Sequence, residues 1–121
     1  MQDSTLVAIQ ASRSAHGNAL VLAFVLLHSV SLVIIAFAGD ALTDSSVQLA
    51  LAAALVIGTL WTVMEFDAIF RDFGALTKDL GGELAGSHLG ETWKAAPLGV
   101  MRGVNVVFPS LLVIAQLMAI Y

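Results

Sequence analysis

Three long apolar runs constrain this sequence more than any other feature. The first extends over Asn18–Gly39, the second over Val47–Met64, and the third from about Gly99 to Tyr121. A helix needs about 20 mostly apolar residues to cross the hydrocarbon core of a bilayer. In that solvent every backbone polar group needs a partner within the protein, and a helix provides those partners within one segment. The three runs therefore predict three transmembrane helices, over residues 18–39, 47–64 and 99–121.

The segments outside the three runs are too short to form a soluble domain, and the chain as a whole is too apolar for one. Of 121 residues, 59% are hydrophobic and 12% are charged, whereas about 25% of the residues in an average soluble domain are charged. A soluble domain of this size could not bury so much apolar surface. We therefore expect residues 1–121 to form a single all-α integral membrane domain.

The first run also has the features of a secretory signal peptide. Ala36–Ala38, followed by Gly39, resembles a signal-peptidase site after an apolar segment. Two further apolar runs follow it, so we interpret the first run as a retained membrane span.

The distribution of basic residues predicts how the chain crosses the membrane. The basic residues are Arg13, Arg71, Lys78, Lys94 and Arg102. Segment 40–46 contains two aspartates and no basic residue, and Lys and Arg are enriched in cytoplasmic loops. The N-terminus and segment 65–96 are therefore predicted to be cytoplasmic, with segment 40–46 and Tyr121 outside. The expected location is a bacterial inner membrane. Asp40 or Asp44 is expected to cap the second helix, with Ser45 and Ser46 as the alternatives.

The cytoplasmic segment begins with an apolar stripe at helical spacing. Its members are Phe66, Ile69, Phe70, Phe73, Leu76 and Leu80. This stripe predicts an amphipathic helical extension after the second span. The extension could continue the second helix or lie in the headgroup layer. Acidic residues on its other faces oppose binding to anionic lipid, so we favour a continued helix.

The rest of this segment is rich in glycine. Gly81, Gly82, Gly86 and Gly90 predict a loop. Three side chains here could ligate a metal ion: Glu83, His88 and Glu91. Because they are scattered over a glycine-rich stretch, we predict a solvated loop and no metal site.

Four residues of the third run form a polar stripe. At about 100° per residue, Arg102, Asn105, Pro109 and Gln116 lie within about 60° of one another. A polar atom left unsatisfied in hydrocarbon costs several kcal/mol. The stripe is therefore predicted to contact the other helices or a partner chain. Arg102 is expected to pair with Glu65 or Asp67 in a cytoplasmic ion pair. Pro109 is expected to kink the helix.

The second run contains small residues at a spacing of four. Ala54, Gly58 and Thr62 form a small-xxx-small pattern, which lets two helix backbones approach closely. These residues are predicted to contact another helix or a partner subunit.

His28 lies near the middle of the first run. An intramembrane histidine is a functional candidate by default, and this one could ligate haem iron, relay protons or donate a hydrogen bond to a quinone carbonyl. The structural alternative is a neutral His28 bonded to Ser31, to a backbone carbonyl or to a partner chain. The runs contain no second histidine to complete a bis-histidine haem site. No cofactor is therefore expected from this chain alone, although haem, quinone or pigment could be shared with partner subunits.

These features favour a non-enzymatic role. No carboxylate lies at the predicted depth of His28, and no paired acid–base set is evident. The net charge of −4 argues against a nucleic-acid partner. We predict an accessory or structural subunit of a larger respiratory or photosynthetic membrane complex, with other integral membrane subunits and the lipid bilayer as partners.

One alternative is a haem- or quinone-contacting anchor of an electron-transport complex, acting through His28. The other is a small oligomeric pore, holin-like or a channel, lined by the polar stripe.

Overall fold

The computed structural model describes residues 2–121, which form helices joined by short connections. Helix α1 is Asp3–Phe37, α2 is Ser45–Lys78, α3 is Gly82–Ala85, α4 is His88–Lys94 and α5 is Leu98–Ile120, and a short 3₁₀ turn covers Gly39–Thr43. Within residues 2–121 there is no strand. Helices α1, α2 and α5 are long and apolar enough to cross a membrane. The prediction of an all-helical chain with three such helices is confirmed.

The first two long helices extend well beyond their apolar runs. Helix α1 begins at Asp3 rather than near Asn18, and α2 continues past Met64 to Lys78. At 1.5 Å per residue each is about 50 Å long, compared with a hydrocarbon thickness of about 30 Å. The second helix continues without interruption, as the spacing of its apolar residues indicates. The first helix is longer than predicted because its N-terminal turns pack on this extension of α2 and bury Leu6.

The bundle has two chemically different ends. We call the end where α1 begins, α2 ends and α5 begins the charged end, because the five basic residues lie there. The other end, which holds residues 38–44 and Tyr121, is called the turn end. At the turn end Asp44 caps α2, and its Oδ1 accepts a hydrogen bond of 2.8 Å from the backbone N–H of Ser46. Of the predicted capping residues, Asp44 is therefore the one used.

The glycine-rich segment after α2 is helical, so the prediction of a loop was wrong. Ser87 caps α4, since its Oγ accepts a hydrogen bond of 3.1 Å from the N–H of Gly90. The ring of Trp93 packs edge-on against Phe73 of α2, with ring centroids 5.9 Å apart. A serine cap and one aromatic contact hold two short helices in a stretch whose glycines alone favour a loop.

Helix α2 lies at the centre of the bundle. Helices α1 and α5 pack along two sides of it and have few contacts with each other. The buried residues of its apolar half are Ala52, Leu55, Thr59 and Thr62. A methyl group added to Gly58 would come within 2.6 Å of the side chain of Leu27, so Gly58 permits this close approach. Ala54, by contrast, is exposed. Within the chain the buried face of α2 is rotated away from Ala54. Contact of Ala54 with a partner subunit stays a prediction.

Candidate functional site

A hydrogen-bonded cluster joins the three long helices inside the bundle. We call it the His28 cluster, and it comprises His28 of α1, Thr59 of α2 and Gln116 of α5. The Nδ1 of His28 lies 2.5 Å from Oε1 of Gln116, and its Nε2 lies 3.0 Å from Oγ1 of Thr59. His28 and Gln116 are only 3% and 2% exposed. The side chain of His28 is thus bonded to both Thr59 and Gln116, and all three residues are buried inside the bundle.

The contacts of Gln116 assign the protonation of the imidazole. Its Nε2 donates to the backbone carbonyl of His28 at 3.2 Å, which directs its Oε1 towards the ring. An amide oxygen only accepts hydrogen bonds, so Nδ1 of His28 is the protonated nitrogen. Its Nε2 then accepts from the hydroxyl of Thr59. With these bonds, every side-chain nitrogen and oxygen of the cluster has a hydrogen-bond partner.

The imidazole of His28 is not bonded to Ser31, which was one of the partners considered from the sequence. The Ser31 hydroxyl donates to the carbonyl of Leu27 at 2.7 Å, one turn earlier on its own helix, and makes no bond to the imidazole. The ring of His28 packs against Phe24 at 4.2 Å between centroids. Of the partners considered for His28, Ser31 is therefore not used. A serine in a helix commonly bonds the carbonyl four residues earlier, which leaves the imidazole for partners on α2 and α5.

Cofactor binding at His28 stays a prediction. Both ring nitrogens are bonded to side chains of this chain, and the ring is enclosed by Phe24 and by α2 and α5. A metal ligand or quinone oxygen would have to replace Thr59 or Gln116. Such a replacement would leave a buried polar atom without a partner, at a cost of about 1–3 kcal/mol.

A second polar set lies at the charged end. Arg102 binds Asp67 with two hydrogen bonds, from Nε at 2.6 Å and from Nη2 at 3.2 Å. Arg71 also contacts Asp67, at 3.3 Å. Glu65, the other predicted partner of Arg102, instead lies 3.1 Å from Nε2 of His16 on α1. Both carboxylates join α2 to another helix, but Asp67 joins it to α5 and Glu65 joins it to α1.

The rest of the polar stripe of α5 also faces the chain's own helices. Nδ2 of Asn105 donates to the carbonyl of Val63 at 3.1 Å, and this oxygen has a second lone pair free for the bond. Near the turn end, Gln48 of α2 donates to the carbonyl of Ile120 at 3.0 Å. Pro109 is half-buried in a helix that continues on both sides of it. The kink expected at Pro109 stays a prediction.

Several contacting side chains were missed by the sequence analysis, among them Thr59, Arg13 and Asp72. Thr59 gave only a weak signal, which was its position three residues before Thr62. Arg13 and Asp72 form an ion pair of 2.9 Å between α1 and α2. That pair was missed because the N-terminal residues were not expected to be helical. Gln10 and Gly17 are seven residues apart and both lie beside the phenylalanines of α2. This spacing could have indicated that α1 begins before Asn18.

A comparison of the sequence with protein-family models, curated proteins and solved structures finds no match. Function is therefore inferred from the contacts of this chain. Within residues 2–121 there is no group of three His, Asp or Glu side chains placed to hold a metal ion. His88 lies 3.8 Å from Glu91, on the exposed surface of α4.

The most direct consequence of the His28 cluster is that it connects the three long helices. Helices α1 and α5 have few contacts with each other, and the bonds between His28 and Gln116 connect them. Each interhelical hydrogen bond in a membrane protein contributes roughly 0.5–2 kcal/mol. The cluster contains no carboxylate, so it lacks the acid–base pair that hydrolytic chemistry requires. Its geometry suits a fixed connection between three helices.

Proposed function

We propose that this protein is a small non-catalytic subunit of a larger multisubunit membrane complex, of the respiratory or photosynthetic type, and that it acts through helix packing. The observation that carries the proposal is the internal pairing of its polar side chains. Among the described residues, every buried side-chain nitrogen or oxygen has a hydrogen-bond partner. Along the three apolar runs, the outer surface of the helices is left almost entirely apolar.

An exposed face of α2 is the best candidate for contact with a larger subunit. Helices α1 and α5 cover two sides of α2, and a third side presents Ala50, Ala54, Ile57 and Trp61. Small residues beside a large aromatic let a neighbouring helix approach closely and pack around the ring. Ala54, which the sequence pattern predicted as a packing residue, lies at the centre of this face.

The pore alternative is less well supported. A pore would need Arg102, Asn105 and Gln116 to line water. Each of them is bonded to a group of α1 or α2. Opening a pore between copies would require breaking these bonds.

The anchor alternative would use His28 to contact haem or quinone. It requires a change in the His28 cluster, since both ring nitrogens already have partners. An absorption band of haem in the purified protein would favour it over the structural role.

The experiment is purification from native membranes in a mild detergent, followed by native mass measurement. We expect the protein in a fixed molar ratio with larger membrane subunits. Ala54→Phe should release it from them, because the added ring occupies the proposed contact. Val33→Phe is the matched control, since Val33 lies exposed on α1. A wild-type protein that migrates alone or only with copies of itself would contradict the proposal, as would retention of the Ala54→Phe variant.

A further inference from the structure

A cleft opens between α1 and α5 on the charged side of the His28 cluster. The two helices are connected at His28 and Gln116 and both follow α2 towards the charged end, where recesses separate them. Three adjoining recesses of about 310, 330 and 210 Å³ make up the cleft. Phe66 of α2 lines all three, so we describe them as one site, the charged-end cleft.

The floor and walls of the cleft are apolar. They are formed by Val21, Phe24, Phe66, Phe70, Met101, Val104 and Phe108. From the level of Arg13 to that of Phe24 the cleft is about 16 Å long, at 1.5 Å per helical residue. The hydrocarbon core of a bilayer is about 30 Å thick, so one leaflet is about 15 Å deep. The cleft therefore spans the headgroup level at Arg13 and much of the depth of one leaflet.

The rim of the cleft at the charged end is polar and includes Arg13, whose ion-pair partner Asp72 lies next to the rim. Gln10, Ser14 and Asn18 follow one another at a spacing of four along α1, which places them on one helix face. Beside them Arg13 uses Nε to contact Asp72 at 2.9 Å. The two side chains are 47% and 44% exposed, so a headgroup can reach both.

We propose that the charged-end cleft binds one zwitterionic phospholipid with a primary ammonium headgroup, as in phosphatidylethanolamine. The phosphate binds the guanidinium of Arg13, and the ammonium binds the carboxylate of Asp72. One acyl chain lies over Phe66 and Phe70 towards the His28 cluster. The proposal requires only that the charged end lies at a membrane interface, and is independent of the proposed subunit role.

Charge complementarity selects this lipid over others. Arginine can bind phosphate through two parallel N–H bonds, and the contact of Arg13 with Asp72 is made through Nε. An anionic headgroup would bring an uncompensated negative charge beside Asp72 and Glu65. A quaternary choline ammonium has no N–H group to donate to Asp72. A primary ammonium beside a phosphate fits both charges of the rim.

The test is native mass spectrometry of the full-length protein in detergent with added lipids of identical acyl chains. We expect one phosphatidylethanolamine to remain bound in preference to phosphatidylcholine and phosphatidylglycerol. Arg13→Gln should lower the bound fraction by about tenfold, because the phosphate loses its charge-assisted bonds. Arg71→Gln is the matched control, since Arg71 is equally basic and does not line the recess that holds Arg13.

A second variant separates lipid binding from folding. Gly17 lines the cleft, and a methyl group there would lie 3.7 Å from Phe66, in ordinary contact. Gly17→Leu should therefore fill the cleft and displace the lipid while the ion pair between Arg13 and Asp72 stays intact. Equal retention of the three lipids would overturn the proposal. Unchanged phosphatidylethanolamine binding by either Arg13→Gln or Gly17→Leu would overturn it as well.

Discussion

Gln116 makes bonds that no hydrophobic residue could replace at its position. Its amide accepts from the imidazole of His28 and donates to the backbone carbonyl of the same residue. Only a side chain with both a donor and an acceptor at its tip can make this pair of contacts. The orientation of the amide in turn fixes which imidazole nitrogen carries the proton. One residue of α5 thus determines both the position and the tautomer of a residue on α1.

A double-mutant cycle between His28 and Gln116 should reveal strong coupling. We expect His28→Leu and Gln116→Leu each to lower the free energy of unfolding by about 1–2 kcal/mol, since each leaves buried polar partners unsatisfied. The double variant should lose clearly less than the sum, by about 1 kcal/mol, because the second substitution removes a group already without its partner. Reversible unfolding in mixed micelles with increasing sodium dodecyl sulfate measures these values.

The control for this cycle is a distant glutamine. Gln48 bonds the carbonyl of Ile120 near the turn end and does not contact His28. Gln48→Leu and His28→Leu should therefore be additive to within about 0.5 kcal/mol. If the pair His28 and Gln116 proves equally additive, the hydrogen bonds of the cluster do not stabilise the bundle.

At the scale of the helix, the start of α2 depends on Asp44. The side-chain hydroxyl and backbone N–H of Ser46, together with the N–H of Val47, lower the pKa of Asp44. These bonds satisfy backbone donors that have no partner within the helix, and the negative carboxylate also suits the positive end of the helix dipole. The cap defines where the connection from α1 ends and α2 begins.

Because folding lowers the pKa of Asp44, its contribution has a defined pH dependence. The stabilisation is fully present above the ordinary aspartate pKa of about 3.9 and is lost as the pH falls through the lower pKa of the folded protein. We expect the stability of the wild type to fall relative to that of Asp44→Asn as the pH drops below about 4. Thermal unfolding followed by helical circular dichroism between pH 6 and pH 3 measures the difference.

Asp44→Asn is the appropriate reference because asparagine is also a good N-cap and does not titrate. Other carboxylates, including Asp67, also lose their partners in acid and affect both proteins equally. Only the difference between the two curves reports on Asp44. A difference that stays constant from pH 6 to pH 3 would show that the cap does not depend on the charge.

Across the whole molecule, the sequence predicted the number and type of long helices, because three apolar runs in lipid leave little choice of backbone structure. It also placed Arg102, Asn105 and Gln116 on one side of α5. It did not identify their partners, since Val63 offers only a backbone carbonyl and Thr59 resembles an ordinary core residue. Whether a small residue such as Ala54 is buried depends on how two helices rotate against each other, which spacing alone does not determine.

The apolar runs also did not predict that residues 3–17 are helical, and the reason is physical. Apolar runs indicate the part of a helix that lipid requires, and residues 3–17 are mostly polar or small. Their helix is held instead by contacts with α2, including the ion pair between Arg13 and Asp72. Tertiary contacts of this kind leave little trace in the hydropathy of either segment.

The distribution of charge between the two ends predicts the orientation of the whole bundle. All five basic residues belong to the charged end, and the turn end carries Asp40 and Asp44. We therefore expect the charged end in the cytoplasm. The chain has no cysteine, so single cysteines can report on each end without background. Ser45→Cys marks the turn end, whereas Ser4→Cys and Thr92→Cys mark the charged end, and all three positions are exposed.

A membrane-impermeant thiol reagent added to intact cells should label Ser45→Cys and leave the other two variants unlabelled. Inverted membrane vesicles should give the opposite pattern, and detergent should make all three reactive. Ser4→Cys and Thr92→Cys must behave alike, because α1 and α5 both begin at the charged end and α4 lies beside them. Labelling of Ser4→Cys from outside would reverse the orientation. Different labelling of Ser4→Cys and Thr92→Cys would contradict the bundle itself, since an odd number of membrane crossings would then separate two segments that lie at the same end.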